Sequence, residues 1–297
     1  MVLAIENDYL RVEFTTLGAA MTSLKSNDGI EYLWQGNPEY WSSQAPILFP
    51  ICGSIRDDQA IFTKDGQEII GHMPRHGIVR KEEFKVEVVS SESIRFSLRS
   101  TPELLEKYPY EFKLNVIYTL RDSSITCEFL VENLEEKEDL PYFVGGHPAF
   151  NCPLFEGEDY TDYYLEFEQE ETTTVPTQFP ETGLLDVLSR HDFLSHTRTV
   201  PLDFTLFEKD AITLDKLTSR EVSLKSSRHS HGLTVSFKDL PNLILWTTTN
   251  HGPFIALEPW SGLSTSLDES NYFMDKANVS IIKPRDSEKK AFQITVF

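Results

Sequence analysis

Two consecutive runs of apolar residues at alternate positions constrain this chain more than any other feature. Phe112, Leu114, Val116, Tyr118 and Leu120 are spaced by single, mostly polar residues. After Arg121-Asp122-Ser123-Ser124 the spacing resumes at Ile125, Cys127, Phe129 and Val131. Successive side chains of a β-strand point to opposite faces, so this pattern predicts two long antiparallel strands, each with one buried face. Shorter stretches of strand character surround them. Residues 10–26 alternate loosely and break at Gly18, and after the Asn27-Asp28-Gly29 turn a strand resumes at 30–34. Residues 84–89 and 94–98 form a hairpin, and further strands are expected at 163–167, 221–225, 233–237, 243–248, 254–257, 279–283 and 291–297. Residues 168–180 are polar and acidic, a loop or an outer strand, and 184–206 fit no single pattern. Thr101-Pro102-Glu103 is the one convincing helix start, and Pro109 keeps that helix short.

No repeat of fixed period and no Gly/Ser or Pro linker divides the 297 residues. Many half-apolar strands without a break predict one all-β domain spanning 1–297, a large antiparallel β-sandwich of two packed sheets. The twenty Phe and eleven Tyr agree with sheet rather than helix bundle. A formal charge of −20 would repel a nucleic-acid backbone or an anionic membrane, so neither is an expected partner. Three cysteines, Cys52, Cys127 and Cys152, have no metal-site or redox spacing. Residues 1–8 carry neither a basic region nor a long apolar core, so no signal peptide is expected. No apolar run reaches the length of a membrane span, and the expected compartment is the cytoplasm. Monomer and homodimer remain equally open.

Chemistry concentrates at the ends of apolar runs. Phe254-Ile255-Ala256-Leu257 leads directly into Glu258-Pro259-Trp260-Ser261-Gly262, which puts a carboxylate at the inner end of a buried strand, where an unpartnered charge is costly. His147 ends a second apolar run and stands between Gly145-Gly146 and Pro148. His76 lies in Arg75-His76-Gly77, and Arg56 follows the buried connection 47–53. One carboxylate, two imidazoles and one cation make a neutral-pH acid/base set. Other chemistries lack their motifs. There is no glycine-rich phosphate loop and no nucleophile elbow around Ser261. His229-Ser230-His231 could share a strand face, but the polar stretch around it offers no further metal ligand. Hydrolysis of a glycosidic bond would need two flanking carboxylates, and only one is placed this way.

Arg56 after Leu48-Phe49-Pro50-Ile51, then Arg75-His76-Gly77, Gly146-His147-Pro148-Ala149-Phe150 and Leu257-Glu258-Pro259-Trp260 occur in the order found in aldose 1-epimerases. The chain resembles that family over its whole length and is most similar to its LacX-like branch. The resemblance implies a galactose-mutarotase-like β-supersandwich that interconverts the α and β anomers of a free aldose. It implies Glu258 as general base on the C1 hydroxyl and His147 as general acid on the ring oxygen, without metal or organic cofactor. Arg56, His76 and Asp210 match positions that hold sugar oxygens. Trp34, Trp41, Phe150 and Trp260 could offer apolar faces to the ring, and Trp260 is the one named as a sugar contact. Two departures bear on the substrate. Ile55 precedes Arg56 where better-known galactose mutarotases have asparagine, and a single Gly77 follows His76 where they have two glycines. With Arg80, these features are similar to the hexose-6-phosphate epimerase branch, which makes a sugar phosphate the alternative substrate and Arg75, Arg80 and Lys81 its cations. A binding protein without catalysis is the remaining alternative.

Overall fold

The computed structural model describes residues 3–297, apart from the side chains of Val88 and Val89. Met1 and Val2, which begin the segment examined for a signal peptide, lie outside them. The predicted all-β architecture is present as two dominant antiparallel sheets. The larger has nine strands in the order Leu184–Pro201, Tyr163–Phe179, Glu221–Ser226, Leu233–Ser236, Ser287–Val296, Ser124–Asn133, Phe112–Arg121, Ser93–Arg99 and Lys85–Val89. Its organising pair is the one the alternation predicts. Ser124–Asn133 alternates between half-buried and buried along its full length, and it pairs with Phe112–Arg121 from Ser124 opposite Arg121 to Asn133 opposite Phe112. Asp122, in the left-handed region at φ 50°, makes the tight turn between them.

The smaller sheet runs in the order Ile212–Leu214, Asn242–Trp246, Phe254–Trp260, Gly145–Gly146 and Ile47–Leu48, and Ala149–Asn151 pairs with the same edge of Phe254–Trp260. All seven residues of Phe254–Trp260 are buried, which explains a continuous apolar run in place of alternation. The sheets meet through contacts such as Phe49 against Phe112, with ring centroids 4.9 Å apart. Gly146 is needed for that closure. A Cβ there would lie 2.6 Å from the Phe292 ring, so the glycine admits a core side chain of the opposite sheet, not a substrate.

Residues 168–179 take the outer-strand alternative, and 184–201, which fit no single pattern in the sequence, form its partner. Tyr163–Phe179 and Leu184–Pro201 form one long hairpin at the sheet edge, with four register shifts along it. Beyond Phe167 this hairpin covers little core, so threonine and glutamate replace the apolar alternation, and each shift breaks the period of two. The single predicted helix is present as Pro102–Leu105, with Thr101 Oγ1 accepting the Leu104 N–H at 3.3 Å. Among the described residues no helix is long and apolar enough to cross a membrane.

Candidate active site

Strand register brings the two distant motifs face to face. Gly145 pairs with Trp260, and Ala149 pairs with Ala256. Both pairings belong to one register, so position 147 falls opposite position 258. The ladder is interrupted between them because Pro148 has no N–H to donate. Its carbonyl still accepts the Leu257 N–H at 3.1 Å, and the His147 N–H turns away to Pro46 O at 3.0 Å. The sequence places Glu258 at a strand exit; the structure places it inside Phe254–Trp260, because Asn242–Trp246 pairs along the strand as far as Trp260, with Ile244 opposite Glu258.

His147 Nε2 and Glu258 Oε2 are 3.2 Å apart, and Glu258 is only 2% exposed. The contact is out of line for a hydrogen bond, so Glu258 Oε2 has no partner; His147 Nδ1 and Trp260 Nε1 also have none. Buried polar atoms are rarely left unpaired, and unpaired ones in a cavity wall mark a place for a polar ligand. The cavity here is about 300 Å³, lined by these three residues with Trp41, Arg75, His76, Arg80, Asp210, Ala211, Ile244 and Trp246. The His147 imidazole is held on three sides: Trp41 stacks on it at 4.8 Å, and His76 and Trp246 present edges at 5.4 and 5.6 Å.

Burial governs the charges. It pushes His147 down to about 3, and the nearby charges of Arg80 and Arg75 act the same way. It pushes Glu258 well above the usual carboxylate range, a rise that Arg75 opposes and Asp210 reinforces. Each group therefore favours its neutral form, and the pair holds one proton, on the carboxyl. The carboxylate and imidazolium expected from the sequence contain the same single proton on the other partner.

His76 is also at the cavity, in a left-handed conformation at φ 70° that a non-glycine residue adopts only under constraint. Its N–H donates to Gly53 O at 2.7 Å, and the Gly53 N–H donates to its Nδ1 at 3.2 Å. An accepting Nδ1 assigns the ring proton to Nε2, leaving that nitrogen as a donor. Burial lowers His76 well below the ordinary histidine range, which keeps it neutral. Gly77 completes the turn: at φ +83° its Cβ would lie 2.1 Å from Phe49 O, so no side chain fits.

Asp210 and Trp260 are at the cavity as the sequence suggests; Arg56 is not. Its guanidinium donates to Glu269 O, Ser266 O and Leu267 O at 3.0, 3.0 and 3.3 Å, and to Asn271 Oδ1 at 2.6 Å. Those acceptors use its donors and turn it into a tie for the loop 266–271, so its expected role in holding sugar oxygens is corrected. The cavity's cations are Arg75, 3.7 Å from Asp210, and Arg80, whose Nε has no partner. Both stand in the Met73-Pro74-Arg75-His76-Gly77-Ile78-Val79-Arg80 segment, so the signal for them was proximity to His76. Trp246 gives no such signal, because it reads as one more core residue of its strand. Ser261 Oγ accepts the Val144 N–H at 2.8 Å, a structural bond. His229 gains a carboxylate from far along the chain, Glu158 Oε2 at 3.3 Å, together with Tyr163 Oη at 3.1 Å.

Comparison with known proteins agrees with this architecture. The family model described as aldose 1-epimerase matches residues 1–277. The plasmid and chromosomal LacX proteins of Lactococcus lactis subsp. lactis are each 54% identical over 297 residues, covering 100% of this chain and 99% of theirs. A galactose mutarotase related enzyme from Lactobacillus acidophilus superposes with a TM-score of 0.92 at 29% identity, over 100% of this chain and 97% of its own. A galactose mutarotase-like protein from Lactobacillus casei gives 0.88 at 26% identity, over 100% of both chains. On the family match and these relatives, the chain belongs to the aldose 1-epimerase family.

Proposed function

We propose that the cavity interconverts the α and β anomers of an aldose by general acid/base ring opening and re-closure. The observation that carries this reading is the buried Glu258 carboxyl, with an unpartnered oxygen 3.2 Å from the His147 imidazole at the wall of a sugar-sized cavity. Ring opening takes one proton from O1 and delivers one to O5. With the pair's single proton moved from Glu258 to His147, 3.2 Å away, Glu258 as carboxylate accepts the first and His147 as imidazolium supplies the second, which leaves both neutral while the sugar is an open-chain aldehyde. The neutral pair is also the form that burial favours, so the site stabilises its own charge state at the open-chain stage. Rotation about C1–C2 and reversal of both transfers give the other anomer. His76 Nε2–H, Arg75 and Asp210 supply hydrogen bonds to hydroxyls, and Trp260 and Trp41 supply apolar faces. No step requires a metal or an organic cofactor.

A second reading, that the aldose carries a 6-phosphate, is favoured by Arg75 and Arg80 lining one cavity with Arg80 Nε unpartnered. Both readings are tested by NMR exchange spectroscopy on a panel of aldoses and their 6-phosphates, with Glu258→Gln and His147→Asn beside the parent. Acceleration of free hexoses supports the first reading; acceleration confined to the phosphates replaces it by the second. Binding without acceleration of any anomer exchange would leave a carbohydrate-binding protein and end both.

A further inference from the structure

Glu258 Oε2 and Trp260 Nε1 are an acceptor and a donor, both buried, both without a partner, and carried by residues that line one cavity. We propose that Trp260 is a positioning residue for anomer exchange: its indole N–H turns to the Glu258 carboxylate and stabilises the ionised form that takes the proton from O1. This rests on the mutarotase reading of the cavity, and it gives the edge of the indole a role beside that of its face.

The strand sets the two side chains together. Residues two apart on a strand share a face, so those of Glu258 and Trp260 rise side by side from Phe254–Trp260. The indole is then held in place by its neighbours. Gly145 pairs with Trp260, and a Cβ on it would lie 2.9 Å from Trp260 Cδ1, the ring carbon bonded to Nε1. Glycine therefore leaves the space that this edge of the ring needs. The His76 and Trp260 rings meet at 74°, with centroids 5.5 Å apart. From the strand on the other side, Asn242 Nδ2 donates to Trp260 O at 3.3 Å. At 6% exposure the indole has little water to satisfy its N–H.

The groups around Glu258 explain why a neutral donor suits this position. Ring opening needs the shared proton on His147 and Glu258 ionised, and burial opposes that arrangement. Asp210 opposes it as well, and Arg75, which favours it, also pairs with Asp210 at 3.7 Å. His76 and the Cys52 thiol are both kept neutral by burial and bring no charge. A further cation beside Glu258 would favour the carboxylate but disfavour an imidazolium 3.2 Å from it, as Arg75 and Arg80 already do. An indole N–H lowers Glu258 by hydrogen bonding and carries no net charge to repel His147. It therefore stabilises one member of the ionised pair without a cost to the other.

The test compares the parent with Trp260→Phe and with benzothienylalanine at position 260, which keeps the shape of the indole and has sulfur in place of N–H. NMR anomer exchange across pH gives kcat and KM. Without the donor, kcat should fall about tenfold and KM stay within about twofold. The alkaline limb of the profile, where Glu258 gives up the last proton of the pair, should move up by about one pH unit, because a donor to the carboxylate holds that loss at lower pH. A higher KM with the limb unmoved would make Trp260 a sugar contact only and overturn the proposal, and so would an isostere that behaves as the parent does. In the parent, the indole N–H resonance of Trp260 should move downfield as Glu258 ionises, and should not do so in Glu258→Gln. If the parent accelerates exchange of no aldose, the mutarotase reading falls. The resonance still decides on the indole contact, and one that ignores Glu258 ends it.

Discussion

Replacing either member of the Glu258–His147 pair should tilt the pH dependence of stability, in opposite directions for the two variants. In the unfolded chain the carboxyl titrates near 4.5 and the imidazole near 6.5. Between those values the unfolded chain holds one proton on the pair, on His147, and the folded protein also holds one, on Glu258. The parent pair therefore contributes no slope there. His147, lowered to about 3 by burial, on its own loses stability as pH falls below 6.5, because only the unfolded chain takes up its proton. Glu258, raised by burial, on its own loses stability as pH rises above 4.5, because only the folded protein keeps its proton. One proton is worth about 1.4 kcal/mol per pH unit, which is the steepest slope either group alone can give. Relative to the parent, the stability of Glu258→Gln should rise with pH through this window, and that of His147→Asn should fall. Urea unfolding at half-unit pH intervals, plotted as differences from the parent, measures both; titrations elsewhere cancel. Two flat difference curves would mean that both groups titrate as they do in water, and the single shared proton would be refuted.

Other expected outcomes follow from particular contacts. Gly77→Ala should lower unfolding stability by at least about 3 kcal/mol in urea, since its Cβ would meet Phe49 O at 2.1 Å in a left-handed conformation. Arg56→Ala should cost about 2 kcal/mol of stability through the loop 266–271 and leave KM for the sugar within about twofold, where a sugar-binding arginine would raise it sharply. Trp41→Ala should lower kcat about tenfold more than it raises KM and move the pH profile of exchange, because its ring stacks on His147 at 4.8 Å. An unchanged pH profile would reduce Trp41 to a wall residue.

How much of this was legible in the sequence depended on how locally each signal is written. The pleat of 112–131 is encoded residue by residue, so the hairpin, its turn and its buried face could all be read directly. Glu258, His147 and His76 announced themselves by standing next to apolar or glycine-bearing segments, although the meeting of Glu258 with His147 depends on the register that pairs Gly145 with Trp260. Arg56 misled for the opposite reason. It follows a buried segment as a ligand-binding cation would, but its acceptors lie more than two hundred residues away, in 266–271. The hairpin Tyr163–Phe179 and Leu184–Pro201 was obscured by its own bulges, which break the period that would have revealed it. Trp41 and Trp246 had the composition of core residues, and only the cavity separates them from core.

The most direct measurement is anomer exchange by Glu258→Gln, His147→Asn and the double variant, at saturating sugar and a pH where all three are folded. If the two residues pass one proton set between O1 and O5, each single variant should lose roughly 10²–10⁴-fold, and the double variant little more than either. Singles within a few-fold of the parent, or losses that multiply in the double variant, would contradict a shared acid/base step.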